Sequence, residues 1–537
     1  MNYREPVTRA STPDIPAEIT KARLFERQKR TLEDFSTQLG NSTRWVRNMS
    51  GNAAVVAVDD GQTLHEIRQR LSALDYVESV DIDALVWPAA VPNDELYGEQ
   101  WQLGSSDQSA GAINAEAAWD LVSGDASTVI AVIDTGIRSE HPDLQGRLLP
   151  GYDFVSGMNL NIEGDVPIPL QYEYLRANDG DGRDPDPTDP GDGVEFSTTV
   201  EMNTYGVNCP ATASTWHGTA VASVIAANSN DGFGMAGLAQ HTKILPVRSM
   251  GRCGGRRSDL IDAIRWAAGV GDPAITENLY PADIINLSLG VDDVCTLSDQ
   301  RAINDAVAAG SIVVAAIGNG SRNADANPTS PSQCDNVIGV LATDHNGHRT
   351  NYSSYGADAD IAAPGGRVPD SSFAILVASN AGERAPSSQQ TYRQVTGTSI
   401  AAPHVSGVLA LMQAANPSLT NYELEGLLYR SVRPHNTISG SGCTDRTCGW
   451  GLLDAYESVV NAIEFTSGDE LPIPQLSPAL DGSITRGNQS FGCSVVSGTV
   501  SEKPHKMAID WFLLLLMSST CLVIRKTVRF RSDDAIR

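Results

Sequence analysis

The segment Thr128–Ile133, TVIAVI, is apolar or β-branched at every position and runs directly into an aspartate, Asp134. A strand with one wet face alternates in polarity. An unbroken apolar run instead needs cover on both faces, which in globular chains means a parallel sheet sandwiched between helices. Later stretches follow the same pattern. Lys243–Val247, Asp283–Leu287, Ser311–Ala316 and Val337–Leu341 read as further strands. Between them Ser258–Ala268 and Asp299–Ala309 have helical spacing, the first with Ser258 as N-cap and the second stopped by Gly310. This alternation predicts an α/β fold of three layers, a central mostly parallel sheet flanked by helices.

That core is expected over residues 93–465. Residues 1–40 are polar, with weak helical character around Ala17–Leu39. Residues 41–92 carry a strand (Ala53–Val58), an amphipathic helix (Thr63–Leu74) and a second strand (Val77–Ile82), a small α+β unit that ends at Trp87 and Pro88. Residues 466–491 read as a linker rich in Pro, Ser and Gly, and residues 492–537 as a tail. In the tail, apolar Trp511–Ile524 is followed by Arg525, Lys526, Arg529 and Arg531. As a helix it would span about 21 Å against roughly 30 Å of hydrocarbon. It is therefore expected to be a weak or transient membrane anchor with its basic side cytoplasmic.

Charge and cysteine usage narrow the function. The chain has 38 basic and 65 acidic residues, a net charge of −27. That excess argues against nucleic acid as a partner and suits a secreted hydrolase. The eight cysteines form no CxxC pair and no zinc spacing with histidine. Cys443 and Cys448 bracket the short loop CTDRTC and read as a local disulfide, which points to an oxidising compartment. The N-terminal sequence MNYREPVTRASTPDIPAE lacks the apolar stretch of a secretory signal, and the true start is expected upstream of Met1.

Four residues sit where chemistry is usually placed. Asp134 ends a strand, the position at which open α/β sheets present functional groups. His217 opens the small, apolar helical run HGTAVASVIAA. Ser399 stands at a helix start in GTSIAAPHVSGVLALM, where free N–H groups and the helix dipole favour an adjacent oxyanion. Asn319 follows SIVVAAIG, and its amide is able to donate to that same oxyanion. Each has an ordinary structural reading as well, as a cap or a turn residue. Their order, Asp then His then Ser, is what joins them into a nucleophilic triad.

The segments VIDTGI, HGTAVAS and GTSIAAPHVSG resemble the three active-site signatures of the subtilisin family. AAIGN is similar to its oxyanion-asparagine segment, and INLSLG to its substrate-binding strand. The resemblance covers about 370 residues and implies a subtilisin-like fold and serine endopeptidase chemistry. It assigns Ser399 as nucleophile, His217 as base, Asp134 as orienting acid and Asn319 as oxyanion donor. Ser288, Leu289 and Gly290 become the edge on which an extended substrate adds as a strand, with Gly251–Gly255 as a candidate opposite edge. Ile400 stands where the family usually carries methionine.

The same resemblance implies several accessories. Residues 41–92 look like the inhibitory propeptide, so the chain's own prosegment joins protein and peptide substrates among its partners. Asp143, in HPDL, falls at the spacing of a calcium ligand, with Asn228 and Asn230 as contributors. The run NDGDGRDPDPTDPGD adds Asp179, Asp181, Asp184 and Asp186 as hard oxygen donors suited to calcium. Cysteine pairs Cys209–Cys253 and Cys295–Cys334 are implied beside Cys443–Cys448. The tail from Cys493 looks like a sorting signal of Gram-negative secreted proteins, which makes sorting machinery or a membrane a further contact and the cell envelope or exterior the location. A GxSxG elbow of other α/β hydrolases is absent. A narrow processing enzyme and a catalytically silent binding protein of the same fold are the alternative readings.

Overall fold

A computed structural model of the chain divides into two units, Met1–Gly482 and Ser483–Arg537. The described residues all lie in the first unit. They are 91–156, 177–194 without 181, and 212–465 without 273–274, 368–372, 436–442 and 445–446, together with segments 2–3, 43–48, 54–58 and 77–80. The tail, Thr63–Leu74, Asp181 and Cys209 lie outside the described residues. Among the described residues no helix is long and apolar enough to cross a membrane.

In chain order the strands near the N-terminus are β1 (Asn2–Tyr3), β2 (Thr43–Asn48), β3 (Ala54–Val58) and β4 (Val77–Ser79). The two strands expected from sequence are present in shortened form as β3 and β4. They do not pair with each other: β3 is antiparallel to β2, and β4 to β1.

The main sheet is built from β5 (Val129–Asp134), β6 (Tyr152–Asp153), β7 (Lys243–Arg248), β10 (Ile284–Leu287), β11 (Ile312–Ala316), β12 (Val337–Thr343) and β13 (Ile361–Pro364). Between and after them lie two ribbons, β8 (Met250–Gly251) with β9 (Gly254–Gly255), and β14 (Ile375–Asn380) with β15 (Gln390–Val395). Spatial order in the sheet is β13-β12-β11-β10-β5-β7-β6, and every pairing is parallel. The helices are α1 (Ala115–Trp119), α2 (His217–Ala226), α3 (Arg257–Ala267), α4 (Leu297–Ala309), α5 (Thr398–Ala415), α6 (Asn421–Arg430) and α7 (Ala455–Glu464).

The unbroken apolar run of β5 explains the layering. Strand residues point alternately to the two faces of a sheet. Ile130 and Val132 of β5 belong to the apolar layer that includes α2, α5, α6 and α7, while Val129, Ala131 and Ile133 belong to the one that includes α3 and α4. Both faces are dry, so both parities must be apolar. Each such buried Ile or Val contributes roughly 1.5–3 kcal/mol of transfer free energy. Helix α5 is the hub of one layer. It is buried continuously from Ile400 to Met412 and lies across β10, β11, β12 and β13. At Gly407 the absence of a side chain admits Leu238, from the loop after α2, since a Cβ there would sit 2.8 Å from Leu238 Cδ2.

Helix ends depart from expectation in one place. Ser258 does not cap α3, which starts at Arg257 after an extended Arg256 with no side-chain cap. Ser258 falls inside the first turn, and Asp259 beside it is drawn to Arg183 and Ser156. At α4, Thr296 and Asp299 form a reciprocal capping box, and Gly310 closes the helix at φ 107°. Disulfides join Cys295 to Cys334 and Cys443 to Cys448. Cys253 is also disulfide-bonded, and its expected partner Cys209 lies outside the described residues.

Within α5, His404 has no exposed surface, and its Nδ1 lies 2.8 Å from the Ile400 carbonyl. Burial disfavours the imidazolium and lowers the group to about 4, although the Ile400 carbonyl opposes the shift. Its folded pKa is thus below its unfolded value near 6.5. The unfolded chain binds more protons in that window, so stability is lost as pH falls from 6.5 towards 4. Urea unfolding of the wild type and His404→Asn between pH 4 and 7 should show the wild type losing more stability on acidification, by up to ~3 kcal/mol. Parallel pH profiles for the two would refute this role of His404.

Candidate active site

Asp134 is the last residue of β5, which is flanked on both sides by β7 and β10. Its carboxylate is wholly buried. Oδ1 accepts the Thr135 amide at 2.7 Å, and His217 Nδ1 lies 2.8 Å from Oδ1 and 2.9 Å from Oδ2. His217 is the first residue of α2. Its direction is set by Trp216, held in the left-handed region at φ 48°, ψ 37°. A bulky residue there costs about 1–3 kcal/mol. Burial of the indole and its Nε1–H bond to the Gly382 carbonyl at 2.9 Å offset that strain. The helix start is pressed onto the strand end. The Gly218 amide donates to Thr135 Oγ1 at 3.1 Å, and a Cβ on Gly218 would lie 2.2 Å from the Gly136 carbonyl oxygen.

The His217 side chain is 24% exposed. Burial alone would lower its pKa, but the Asp134 charge and hydrogen bond outweigh this and leave the imidazole raised above its usual value. Asp192 adds to the rise, and Arg393 opposes it. The Asp192 carboxylate is held by Thr215, accepting from the amide at 2.5 Å and the hydroxyl at 2.6 Å, while Arg393 donates to the Thr215 carbonyl.

Ser399 is the second residue of α5, half-buried, after Gly397 and Thr398. Asn319 lies in the loop after β11. Its Oδ1 accepts from the Thr398 amide at 2.9 Å and the Thr398 hydroxyl at 3.0 Å, and that hydroxyl accepts from the Gly318 amide at 3.2 Å. A backbone amide only donates, so the carboxamide oxygen must face Thr398 and the Nδ2 end is turned away. A Cβ on Gly397 would sit 3.5 Å from Asn319 Nδ2 and 3.7 Å from Ser399 N. Two donors thus border one small space beside the Ser399 turn, and it is open because residue 397 has no side chain.

A groove of about 410 Å³ opens beside His217. His217, Thr135 and Asp192 line it together with Met250, Gly251, Cys253 and Gly254 of the β8–β9 ribbon and with Ser288, Leu289 and Gly290 after β10. Ser288 Oγ also donates to the Ser399 carbonyl at 2.6 Å, which ties the groove wall to the first turn of α5. Asp192 closes the acidic run NDGDGRDPDPTDPGD, which the sequence offers as a source of hard oxygen donors. The structure puts it in the groove, because the loop folds back so that Asp192 meets Thr215. Thr135, Thr215 and Thr398 were missed. Thr135 and Thr398 stand beside Asp134 and Ser399 in the quoted motifs, and only that adjacency could have signalled them.

The expected cation ligands separate into two groups. Asp143 is buried, and its Oδ2 accepts the Met235 amide at 3.0 Å. Burial raises this carboxyl to about 6, against the Met235 amide and Tyr392 hydroxyl, with Asp231 and Asp94 adding to the rise. Asn230 belongs to the same neighbourhood, its amide donating to Asp94 Oδ2 at 2.9 Å, while Asp94 Oδ1 is buried without a hydrogen-bond partner. The second group is engaged elsewhere. Asp179 and Asp153 hold the buried Arg248 guanidinium, Asp184 Oδ1 accepts the Asp186 amide at 2.8 Å, and Asp186 Oδ1 accepts the Thr188 amide at 3.0 Å. Among the described residues no three His, Cys, Asp or Glu side chains gather as a ready-made metal cluster. The first group fits a hard cation in donor chemistry, since it has crowded carboxylates and an orphaned buried oxygen.

Residues 125–451, more than half of the chain, match the model of the Subtilase family. The chain is 38% identical over 422 residues to an extracellular protease of Xanthomonas campestris pv. campestris, an alignment covering 78% of this chain and 66% of that protein. It is 36% identical over 462 residues to an extracellular basic protease of Dichelobacter nodosus, covering 84% of this chain and 69% of the other. The chain thus spans about two thirds of the length of these relatives. A solved protease structure from Pseudoalteromonas arctica is similar at 40% identity with a TM-score of 0.60, covering 70% of this chain and 100% of that one. With the parallel sheet and the Asp134–His217 pair where β5 ends and α2 begins, these matches place the chain in the subtilase family of serine endopeptidases.

Proposed function

We propose that this subtilase is a secreted serine endopeptidase that hydrolyses peptide bonds through an acyl-enzyme formed on Ser399. The observation that carries this reading is the contact of His217 Nδ1 with the buried Asp134 carboxylate. It holds the proton on Nδ1 and leaves the Nε2 lone pair as the base. The Ser399 hydroxyl proton passes to Nε2 as Oγ bonds to the scissile carbonyl carbon, and the carbonyl π pair moves onto oxygen. That oxyanion is received by Asn319 Nδ2 and the Ser399 amide. On collapse the C–N bond breaks and Nε2 returns its proton to the leaving amine. Water then repeats the sequence and frees Ser399. Ser288, Leu289 and Gly290 supply backbone groups to an extended substrate.

Relatives named extracellular proteases, together with the disulfides, support secretion. Residues 41–92 act as a prosegment removed by the enzyme itself. The tail from residue 492 serves sorting to the exterior of a Gram-negative cell. Asp143, with Asn230 and Asp94, holds calcium, which when bound neutralises this carboxylate cluster.

Four outcomes test the reading. Ser399→Ala should abolish peptide hydrolysis and fluorophosphonate labelling, and the protein should accumulate unprocessed on a gel. Asn319→Ala should lower kcat by roughly 100- to 1000-fold with KM little changed; an unaltered kcat would exclude it from the oxyanion site. His217 must be neutral to act as base, so kcat/KM should fall as pH drops through its raised pKa. Removing the nearby charge with Asp192→Asn should move that acid limb to lower pH; a limb that stays put or moves up would contradict the electrostatic account. Chelation should lower Tm in the wild type but much less in Asp143→Asn.

A further inference from the structure

Helix α5 contains Pro403, the sixth of its eighteen residues. In a regular helix the amide of residue i+4 donates to the carbonyl of residue i. For Ser399 that residue is Pro403, which has no N–H and whose ring crowds the carbonyl four residues back. The nucleophile's own carbonyl is therefore deprived of its helical partner in a half-buried site. The structure supplies a replacement from outside the helix, because Ser288 Oγ–H donates to the Ser399 carbonyl at 2.6 Å.

That hydroxyl is not free to choose another partner. Asn286 Nδ2 donates to Ser288 Oγ at 2.9 Å, which occupies a lone pair and leaves the single hydroxyl proton for Ser399. Asn286 is itself fixed, since its Oδ1 accepts from Ser406 Oγ at 2.9 Å. All three side chains are buried: Ser288 at 3% exposure, Asn286 and Ser406 at 0%. Strand β10 and the groove wall that follows it are thus latched to α5 at residues 399 and 406 by one continuous polar chain. Nothing in the expected roles of Ser288, Leu289 and Gly290 uses this hydroxyl.

We infer that Ser288 is a positioning residue for the nucleophile: its hydroxyl replaces the amide that Pro403 lacks and locks the Ser399 peptide to the wall that receives the substrate. This inference rests on the serine endopeptidase reading. Without the hydroxyl, the Ser399 peptide loses this tie to the groove wall. The serine and the amide beside it then drift relative to a bound carbonyl. Shifts of about 1 Å in such geometry cost on the order of a hundredfold in rate.

The test is a double-mutant cycle in the full chain, read as the second-order rate of fluorophosphonate attachment at Ser399, with kcat and KM on a chromogenic peptide. Protein unlabelled at Ser399 in the wild type would overturn the endopeptidase reading itself. With labelling in place, Ser288→Ala should slow attachment and kcat by roughly tenfold or more while KM changes little, and Ser288→Thr should recover most of the loss. Pro403→Ala restores a donor within the helix. In that background Ser288→Ala should cost less than about threefold. Equal losses in the two backgrounds, or an unchanged labelling rate in Ser288→Ala, would overturn the inference. If Ser288→Ala yields no folded protein, Ser288→Cys, nearly isosteric with a weaker donor, carries the same comparison.

Discussion

The Asp134 carboxylate has no contact with solvent, and a charge in that position costs several kcal/mol unless donors surround it. Two come from elements far apart in sequence, the Thr135 amide and the His217 imidazole. Satisfying them requires α2 to begin directly above the end of β5, and much of the local structure follows. Gly218 must lack a side chain because the Gly136 carbonyl occupies the space. Trp216 must take a left-handed backbone to turn the chain into the helix, and its indole is buried to hold that conformation. The histidine is thereby aimed into the groove with its pKa raised by the same carboxylate.

Helix α5 answers a second constraint. It is apolar around nearly its whole circumference, so it has to be a core helix, yet its first turn carries backbone groups that need partners. Asn319 and Ser288 reconcile the two. One fixes the amide of Thr398 and the other the carbonyl of Ser399, so the polar groups of an interior helix start are satisfied by the ends of neighbouring strands rather than by water. The core packing that holds the helix and the hydrogen bonds that hold the Ser399 peptide are one arrangement.

The layered sheet was legible because burial on both faces leaves an unambiguous mark on a strand, and β5, β7, β10, β11 and β12 fall where apolar runs predicted them. The two-residue β6 is too brief to show a period, and β13 and the β14–β15 ribbon were not read either. Ser258 as a cap was wrong because cap chemistry competes with a neighbouring salt bridge, Asp259 with Arg183, that no local pattern announces. The contiguous acidic run suggested one family of cation ligands. Its members instead serve a buried arginine (Asp179), two local turns (Asp184 and Asp186) and the groove (Asp192). Charge in sequence says that a loop is acidic, not which counter-charge each carboxylate will find.

By itself the sequence determined the parallel α/β class, the dry faces of its strands and the short motifs around Asp134, His217, Asn319 and Ser399. These are properties of local composition and order. Only the tertiary structure decided what meets what: Asp192 beside His217, Thr398 holding Asn319, and Ser288 holding the carbonyl orphaned by Pro403. Each of these is a contact between residues tens to more than a hundred positions apart. Hydrogen bonds act over about 3 Å, so their partners are fixed only once the sheet and its helices have packed.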